Sequence, residues 1–180
     1  MTPMWVPLES AGGSSGGGTV GAYKNAHQVT LPCSVQGNFF FSGAASYGVK
    51  HGHNGIYGLA CQSIEAVSGG VPVTRYTLPG HKVYTSSDQP ARIQQTAAAY
   101  SVAQRHTAAV FASSKNGYVY KDNFAFNRHV QDTSYNCSQL VWAAWMYSTH
   151  LDLDKDGGSA RTRRISEIRL GPERSVRCKV

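Results

Sequence analysis

Between residues 37 and 85 the chain is a series of short apolar or β-branched runs separated by glycine and serine. The runs occupy residues 38–41, 55–59, 63–67, 71–76 and 82–85. Runs of this length and composition, with turn-forming residues between them, indicate antiparallel strands. The chain is therefore expected to contain an antiparallel sheet.

Two later segments carry helix signals. Residues 91–105 are rich in helix-forming side chains and contain no glycine, with Asp88 as a plausible N-cap and Pro90 near the first turn. The second predicted helix runs from about residue 136 to 147, because Cys137, Leu140, Val141 and Ala144 recur at helical spacing. Strands together with two helices predict an α+β fold.

The size and composition of the chain favour one compact domain. It has 180 residues, of which 41% are hydrophobic. Residues 1–30 lack periodic hydrophobicity and include the Gly/Ser run 12–18, so they are predicted to form a flexible arm, with the domain spanning 31–180. No stretch approaches the roughly 20 apolar residues of a transmembrane segment, and no conventional signal peptide is visible.

The net charge of +7 is concentrated at the C-terminal end, where the last twenty residues hold seven basic and two acidic side chains. Such a tail attracts anionic partners through screened long-range forces. A solvated basic edge without a partner explains the same pattern, and the sequence leaves both interpretations open.

The four cysteines are too few and too dispersed for a disulfide scaffold, and no CxxC pair suggests a zinc or redox site. Cys33 and Cys178 could meet in a disulfide that holds the basic tail to the domain. Lone buried thiols are the slightly favoured interpretation of these two residues.

Cys137 lies in the first turn of the second predicted helix, with Thr133 and Ser134 as candidate caps. Backbone N–H groups and the helix dipole stabilise a thiolate at such a position. However, the stripe that Cys137 shares with Leu140 points inward, and free cysteine is often a small core residue. Spacing alone favours the structural interpretation.

A catalytic thiol needs an imidazole to take its proton and a third polar group to orient that imidazole. His53 opens one predicted strand, and Glu65 lies twelve residues later in the next one. A hairpin would bring the two side chains together on one face. This arrangement is a prediction about strand register.

Five segments resemble, in the same order, the circularly permuted, papain-like NlpC-type cysteine amidases. This family includes the YiiX-like bacterial proteins and has lecithin retinol acyltransferases as more distant relatives. The segments are residues 37–42, 52–57, 63–66, 135–142 and 151–158. They extend over about residues 37 to 168, but Asn38 stands where the family usually has aspartate, and Asn136 where many members do.

The resemblance implies a papain-like permuted fold, with an antiparallel sheet that curls toward a small barrel and packs against the helix carrying Cys137. It implies that Cys137 is the nucleophile, His53 its base and Glu65 the orienting group. Backbone N–H groups at the helix start would meet the oxyanion, and the hydroxyls of Tyr135 or Tyr57 would assist. Ser138 would line the same site.

The resemblance further implies hydrolysis of amide bonds in peptidoglycan stem peptides, with no cofactor. The enzyme could be a bacterial effector that reaches the periplasm or cell wall without a signal peptide and is neutralised by an immunity protein; otherwise it would be cytoplasmic. Nucleic acid is not an expected partner. A lipid or thioester acyl hydrolase of the same fold is the alternative enzyme, and a catalytically inactive basic binding module is the non-enzymatic alternative.

Metal binding is a minor interpretation of two further patterns. His51 and His53 are two apart on a strand, but no third ligand is obvious. Residues 152–157 copy the first half of a calcium loop through Asp152, Asp154 and Asp156, yet position twelve is Arg163 rather than glutamate. No metal is therefore expected.

Overall fold

The computed structural model describes residues 23–43, 45–46, 49–50, 52–67, 71–95, 100–121, 129–150, 153, 167–170 and 174–177. The nine strands of the first half are β1 His27–Thr30, β2 Phe39–Ser42, β3 Ala45–Ser46, β4 Val49–Lys50, β5 His53–Tyr57, β6 Gln62–Glu65, β7 Thr74–Thr77, β8 Lys82–Thr85 and β9 Arg92–Gln95. The second half contains α1 Val102–Ser114, β10 Val119–Tyr120, β11 Ser134–Tyr135, α2 Cys137–Thr149, β12 Glu167–Leu170 and β13 Arg174–Arg177.

The main sheet has five strands in the order β7-β6-β5-β2-β9, and every neighbouring pair in it is antiparallel. Further antiparallel pairs are β1 with β8, β3 with β4, and β12 with β13, whereas β10 and β11 form a short parallel pair. Each of the five predicted runs contributes a strand. The antiparallel sheets with two packed helices confirm the α+β class.

The prediction of a helix over residues 91–105 is wrong for its first part and right only from Val102 onward. Arg92–Gln95 is a strand that pairs with β2, and α1 begins only at Val102. Ser101 caps α1 in a reciprocal capping box with Gln104, so the start signal lies thirteen residues after the proposed cap Asp88. Strand pairing along β2 overrides the local helix propensity of residues 92–95.

The second helix is confirmed, since α2 extends from Cys137 to Thr149. Its cap is Asn136 rather than Thr133 or Ser134, because the Asn136 side chain accepts a hydrogen bond from the backbone N–H of Gln139 at 2.8 Å. Thr133 and Ser134 precede the cap, and Ser134 belongs to β11.

The two faces of the main sheet pack against different partners. Phe39, Phe41, Ile56 and Ile64 form one cluster with buried side chains of α1 and α2. Phe40 and Tyr57, which alternate with them along the strands, join a second cluster with Leu31, Leu78 and Val83. The strand β5 therefore lies between two apolar layers.

The last residues of the predicted N-terminal arm belong to the fold, because β1 pairs with β8 along its whole length. The structure does not describe residues 1–22. Cys33, which follows β1, forms a disulfide with Cys61. The proposed Cys33–Cys178 pair and the lone-thiol alternative are both wrong for Cys33, and Cys178 lies outside the described residues.

Hydrogen bonds to segment 78–81 bring Cys33 and Cys61 together. The backbone N–H of Leu31 bonds the carbonyl of His81 at 2.8 Å, and that of Leu78 bonds the carbonyl of Cys61 at 3.0 Å. The segment 78–81 thus holds both cysteine-bearing stretches side by side. His51 and the proposed calcium-loop aspartates also lie outside the described residues. In the part of the chain that the structure describes, no helix is long and apolar enough to cross a bilayer.

Candidate active site

The β5–β6 hairpin brings His53 and Glu65 together. Ile56 lies opposite Ile64, so His53 and Glu65 both point to the face opposite that pair. The two side chains are fully buried, and His53 Nε2 lies 2.9 Å from Glu65 Oε2. The predicted juxtaposition is confirmed, whereas catalytic roles for the two residues stay predictions.

Gly55 provides the space in which these two side chains meet. A Cβ atom at this position would lie 2.5 Å from the ring of Phe40 and 2.7 Å from Glu65 Cγ. Both distances are shorter than any ordinary carbon contact. A side chain at residue 55 would therefore displace the Glu65 carboxylate from His53.

Cys137 meets the same imidazole from the start of α2. It is the first residue of the helix and is 5% exposed. The Cys137 side chain interacts with His53 and contributes to the raised pKa of its imidazole. The structure thus brings together all three residues that the sequence proposed as a catalytic set.

The electrostatics favour a charged imidazole next to Glu65 and Cys137. Burial alone lowers the pKa of His53, but hydrogen bonds and charge interactions with Cys137 and Glu65 outweigh it and raise the pKa from 6.5 to about 9. Burial raises the pKa of Glu65, but hydrogen bonds from His53 and His81 outweigh it and lower the pKa from 4.5 to about 2.

Two further residues hold Glu65, and the sequence analysis missed both. His81 Nε2 lies 2.9 Å from Glu65 Oε1, and the Ser63 hydroxyl donates to the same oxygen at 2.6 Å. Ser63 could have been found, because residues two apart on a strand share a face. His81 carries no such signal, since it precedes β8, which belongs to another sheet.

Ser138 connects the start of α2 to β5. Asn54 Nδ2 donates to Ser138 Oγ at 3.2 Å, and this oxygen lies 3.8 Å from Cys137 Sγ. Asn54 is the neighbour of His53 on the strand and was also missed. The contact ties the start of the helix to β5 and lies next to the thiol.

The two tyrosines proposed for the oxyanion are both buried. The Tyr135 hydroxyl donates to the carbonyl of Val130 at 2.9 Å and accepts from the N–H of Asp132 at 3.0 Å. The Tyr135 hydroxyl proton is already donated to Val130 and so is not free for an oxyanion, which argues against that role. Tyr57 packs edge-on against Phe40, with ring centroids 6.0 Å apart, in the second apolar cluster.

The side-chain amide of Asn136 is another donor to consider next to Cys137. Its Oδ1 caps the helix through Gln139, and its Nδ2 is buried and has no hydrogen-bond partner among the described residues. A buried donor without an acceptor is costly and calls for an explanation. Asn136 directly precedes Cys137, so this donor lies at the helix end where the thiol is held.

These features define an α+β protein with a buried Cys–His–Glu chain at a helix N-terminus. Across the described ranges, no group of three or more His, Cys, Asp or Glu side chains is arranged to hold a metal ion. The chain is distantly homologous to the uncharacterized protein YycO of Bacillus subtilis, with 34% identity over 152 residues. The aligned region covers 83% of this chain but only 56% of YycO. No protein family and no solved structure matches the chain.

Proposed function

We propose that the protein is a thiol hydrolase of the permuted, papain-like NlpC type, with Cys137 as nucleophile. The observation that carries the proposal is that buried His53 interacts with Glu65, at 2.9 Å, and with Cys137 at the start of α2. Strongly perturbed, buried titratable groups cluster at functional sites, and a buried ion pair by itself is weak evidence of a stabilising role. The finer fold assignment and the amide substrate come from the sequence resemblance.

In the proposed reaction the Cys137 thiolate attacks the carbonyl carbon of an amide, and the carbonyl oxygen becomes an oxyanion. Protonated His53 then gives its proton to the leaving nitrogen, so that an amine departs and an acyl-enzyme remains. Neutral His53 next takes a proton from water, whose oxygen displaces Cys137 and releases a carboxylic acid. Glu65 stays ionised throughout and orients the imidazole.

The oxyanion would form at the start of α2, where the first backbone N–H groups have no acceptor within the helix. The N–H of Cys137 is one donor of this kind. Asn136 Nδ2 is proposed as the second donor in place of the tyrosines, since its lack of a partner is then explained by the reaction. Removal of one oxyanion donor costs about 100- to 1,000-fold in turnover.

Asn136→Ser tests this second donor, because serine caps a helix as well as asparagine does but lacks the amide. We expect slower turnover with an unchanged rate of Cys137 alkylation by iodoacetamide, since alkylation forms no oxyanion. Unfolding temperature should not fall. Equal losses in turnover and alkylation would instead assign Asn136 to thiol positioning.

The substrate is proposed to be a peptide amide of peptidoglycan. Purified peptidoglycan would be incubated with the wild type, with Cys137→Ala and with Cys178→Ala, and released peptides would be read by mass spectrometry. We expect cleavage by the wild type and by the Cys178 variant but not by Cys137→Ala. Cleavage that survives Cys137→Ala would overturn the nucleophile assignment.

Absence of cleavage by all three proteins would reject the wall substrate, and acyl thioesters and lipids would then be tested with the same variants. The binding-module alternative makes a separate prediction. It requires a Cys137 thiol that resists iodoacetamide at neutral pH, whereas the proposed hydrolase requires a reactive one.

A further inference from the structure

Both oxygens of the Glu65 carboxylate are occupied, and two different histidines hold them. Oε2 faces His53 Nε2 at 2.9 Å, and Oε1 faces His81 Nε2 at 2.9 Å. The Ser63 hydroxyl also donates to Oε1. The carboxylate is 1% exposed, so it cannot exchange these partners for bulk water. Its orientation toward His53 therefore depends on what holds Oε1.

His81 is itself held in place from two directions. Its ring stacks on that of Tyr76 in β7, with centroids 4.1 Å apart and planes 9° from parallel. Its carbonyl accepts the backbone N–H of Leu31 just after β1. His81 is buried and immediately precedes β8, so it links the β1–β8 pair to the main sheet.

The protonation of Glu65 decides whether it can support a charged His53. A carboxylate in an apolar interior takes up a proton unless donors compensate for its lost hydration. Ser63 and His81 are the donors at Oε1, and of these only the imidazole can also carry a positive charge. Titratable groups next to His81 include Glu65 from β6 and Tyr76 from β7, and His53 from β5 lies across the carboxylate.

We propose that His81 is a positioning residue for catalysis, which donates from Nε2 to Glu65 and so keeps the carboxylate ionised and turned toward His53. The site is then a chain of four groups, Cys137–His53–Glu65–His81, rather than a triad. This inference rests on the proposed function. In this role His81 acts through Glu65 and not directly on the thiol or the substrate.

The test is the pH dependence of Cys137 alkylation by iodoacetamide, which needs no knowledge of the substrate. His81→Phe keeps a ring over Tyr76 but removes the donor, whereas His81→Gln keeps an N–H near the position of Nε2. His106→Phe, at an exposed histidine of α1, is the matched control. His53→Phe reports the loss of the base itself. Where a substrate is known, kcat/KM is measured over the same pH range.

We expect His81→Phe to shift the acidic limb of the alkylation profile upward by about one pH unit, which is a tenfold loss of rate on that limb. His81→Gln should restore most of the rate, and His106→Phe should match the wild type. If His81→Phe does not fold, His81→Asn makes the same test, because its shorter amide does not reach Glu65. A wild-type profile in a folded His81→Phe or His81→Asn protein would overturn the inference.

The two proposals fail in different ways. If His53→Phe has the wild-type alkylation profile, Cys137 is not paired with His53 and the proposed function is rejected. If His53→Phe changes the profile but the His81 variants do not, only the role of His81 is rejected. If His81→Phe abolishes the reaction and His53→Phe does not, His81 is the base and both assignments are overturned.

Discussion

Two buried or half-buried polar clusters among the described residues look alike in composition but differ in chemistry. The Glu65 cluster comprises His53, Ser63, Glu65 and His81. The Asp132 cluster comprises Lys121, Asp132, Tyr135 and Gln139, and it joins the loop before α2 to that helix. Each cluster is centred on a carboxylate that several donors hold.

The partners of the two carboxylates make the difference. Burial raises the pKa of Asp132, but hydrogen bonds from the Thr133 N–H, Lys121 and Gln139 outweigh it and lower the pKa. Lys121 is one-third exposed, and its Nζ lies 3.2 Å from Asp132 Oδ2. Glu65 faces two buried imidazoles, one of which contacts a thiol. The Asp132 carboxylate therefore connects parts of the fold, whereas the Glu65 carboxylate lies where proton transfer can be assisted.

The largest expected effect that separates the clusters comes from neutralising each carboxylate. Glu65→Gln should lower kcat/KM by roughly 100-fold or more, because His53 loses its orienting anion. It should also shift the alkylation profile of Cys137 toward higher pH. Asp132→Asn is the matched change, and we expect it to lower the unfolding temperature with a far smaller effect on kcat/KM. Equal effects on activity would remove the distinction between the clusters.

A second expected difference is alkaline sensitivity. The folded-state pKa of His53, about 9, lies above its ordinary 6.5, so its stabilising contribution is present below pH 6.5 and is lost as the pH rises through about 9. Hydrolysis should fail over the same range, because His53 must be protonated to release the amine. Urea unfolding and kcat/KM would be followed together across this window.

The loss of stability at acidic pH is expected to involve both clusters, unlike the loss at alkaline pH. Glu65 has a lowered pKa of about 2, so its contribution is present above pH 4.5 and is lost as the pH falls toward 2. Asp132 has the same direction of shift. A His53→Gln variant should lose the alkaline dependence of stability and keep the acidic one. A variant with an unchanged alkaline limb would contradict the assignment of that limb to His53.

A steric change sharpens the comparison without touching a polar group. Gly55→Ala places a Cβ against Phe40 and Glu65 Cγ and should cost about 1–3 kcal/mol of unfolding free energy. It should also reduce Cys137 alkylation. Gly43→Ala is the control, since its Cβ would meet the nearest atom at an ordinary 3.5 Å. A harmless Gly55→Ala would mean that Glu65 can shift without effect.

The smallest expected effect falls in the Asp132 cluster. Tyr135→Phe removes one hydroxyl that bonds Val130 and Asp132 and should cost about 1 kcal/mol of unfolding free energy. We expect kcat/KM to stay close to that of the wild type. A large loss of turnover at unchanged stability would return Tyr135 to the oxyanion role that the sequence suggested.

Much of the candidate site could be predicted because its members lie on regular elements with strong local signals. His53 and Glu65 lie on adjacent strands of one hairpin, where alternation assigns each residue to a face. Cys137 lies at the start of a helix with a clear apolar stripe. The strand positions followed from the same logic. Local periodicity is reliable where the pattern and the tertiary environment agree.

The sequence failed where distant pairing decides the outcome. Residues 92–95 have helix-forming composition, but β2 offers an unpaired edge that draws them into the sheet. The Cys33–Cys61 disulfide depends on segment 78–81 lying between two distant stretches of chain. The local sequence around these residues gives no signal for either contact.

The sequence by itself determined the class of fold, the hairpin that pairs His53 with Glu65, and the position of Cys137 at a helix start. Only the tertiary structure decided that the thiol meets this imidazole, that His81 holds the other oxygen of Glu65, and that Asn136 leaves a buried donor beside Cys137. The physical reason is the distance along the chain over which each kind of signal acts. Alternation and helical spacing act between neighbours in the chain, whereas these contacts join elements that only packing brings together.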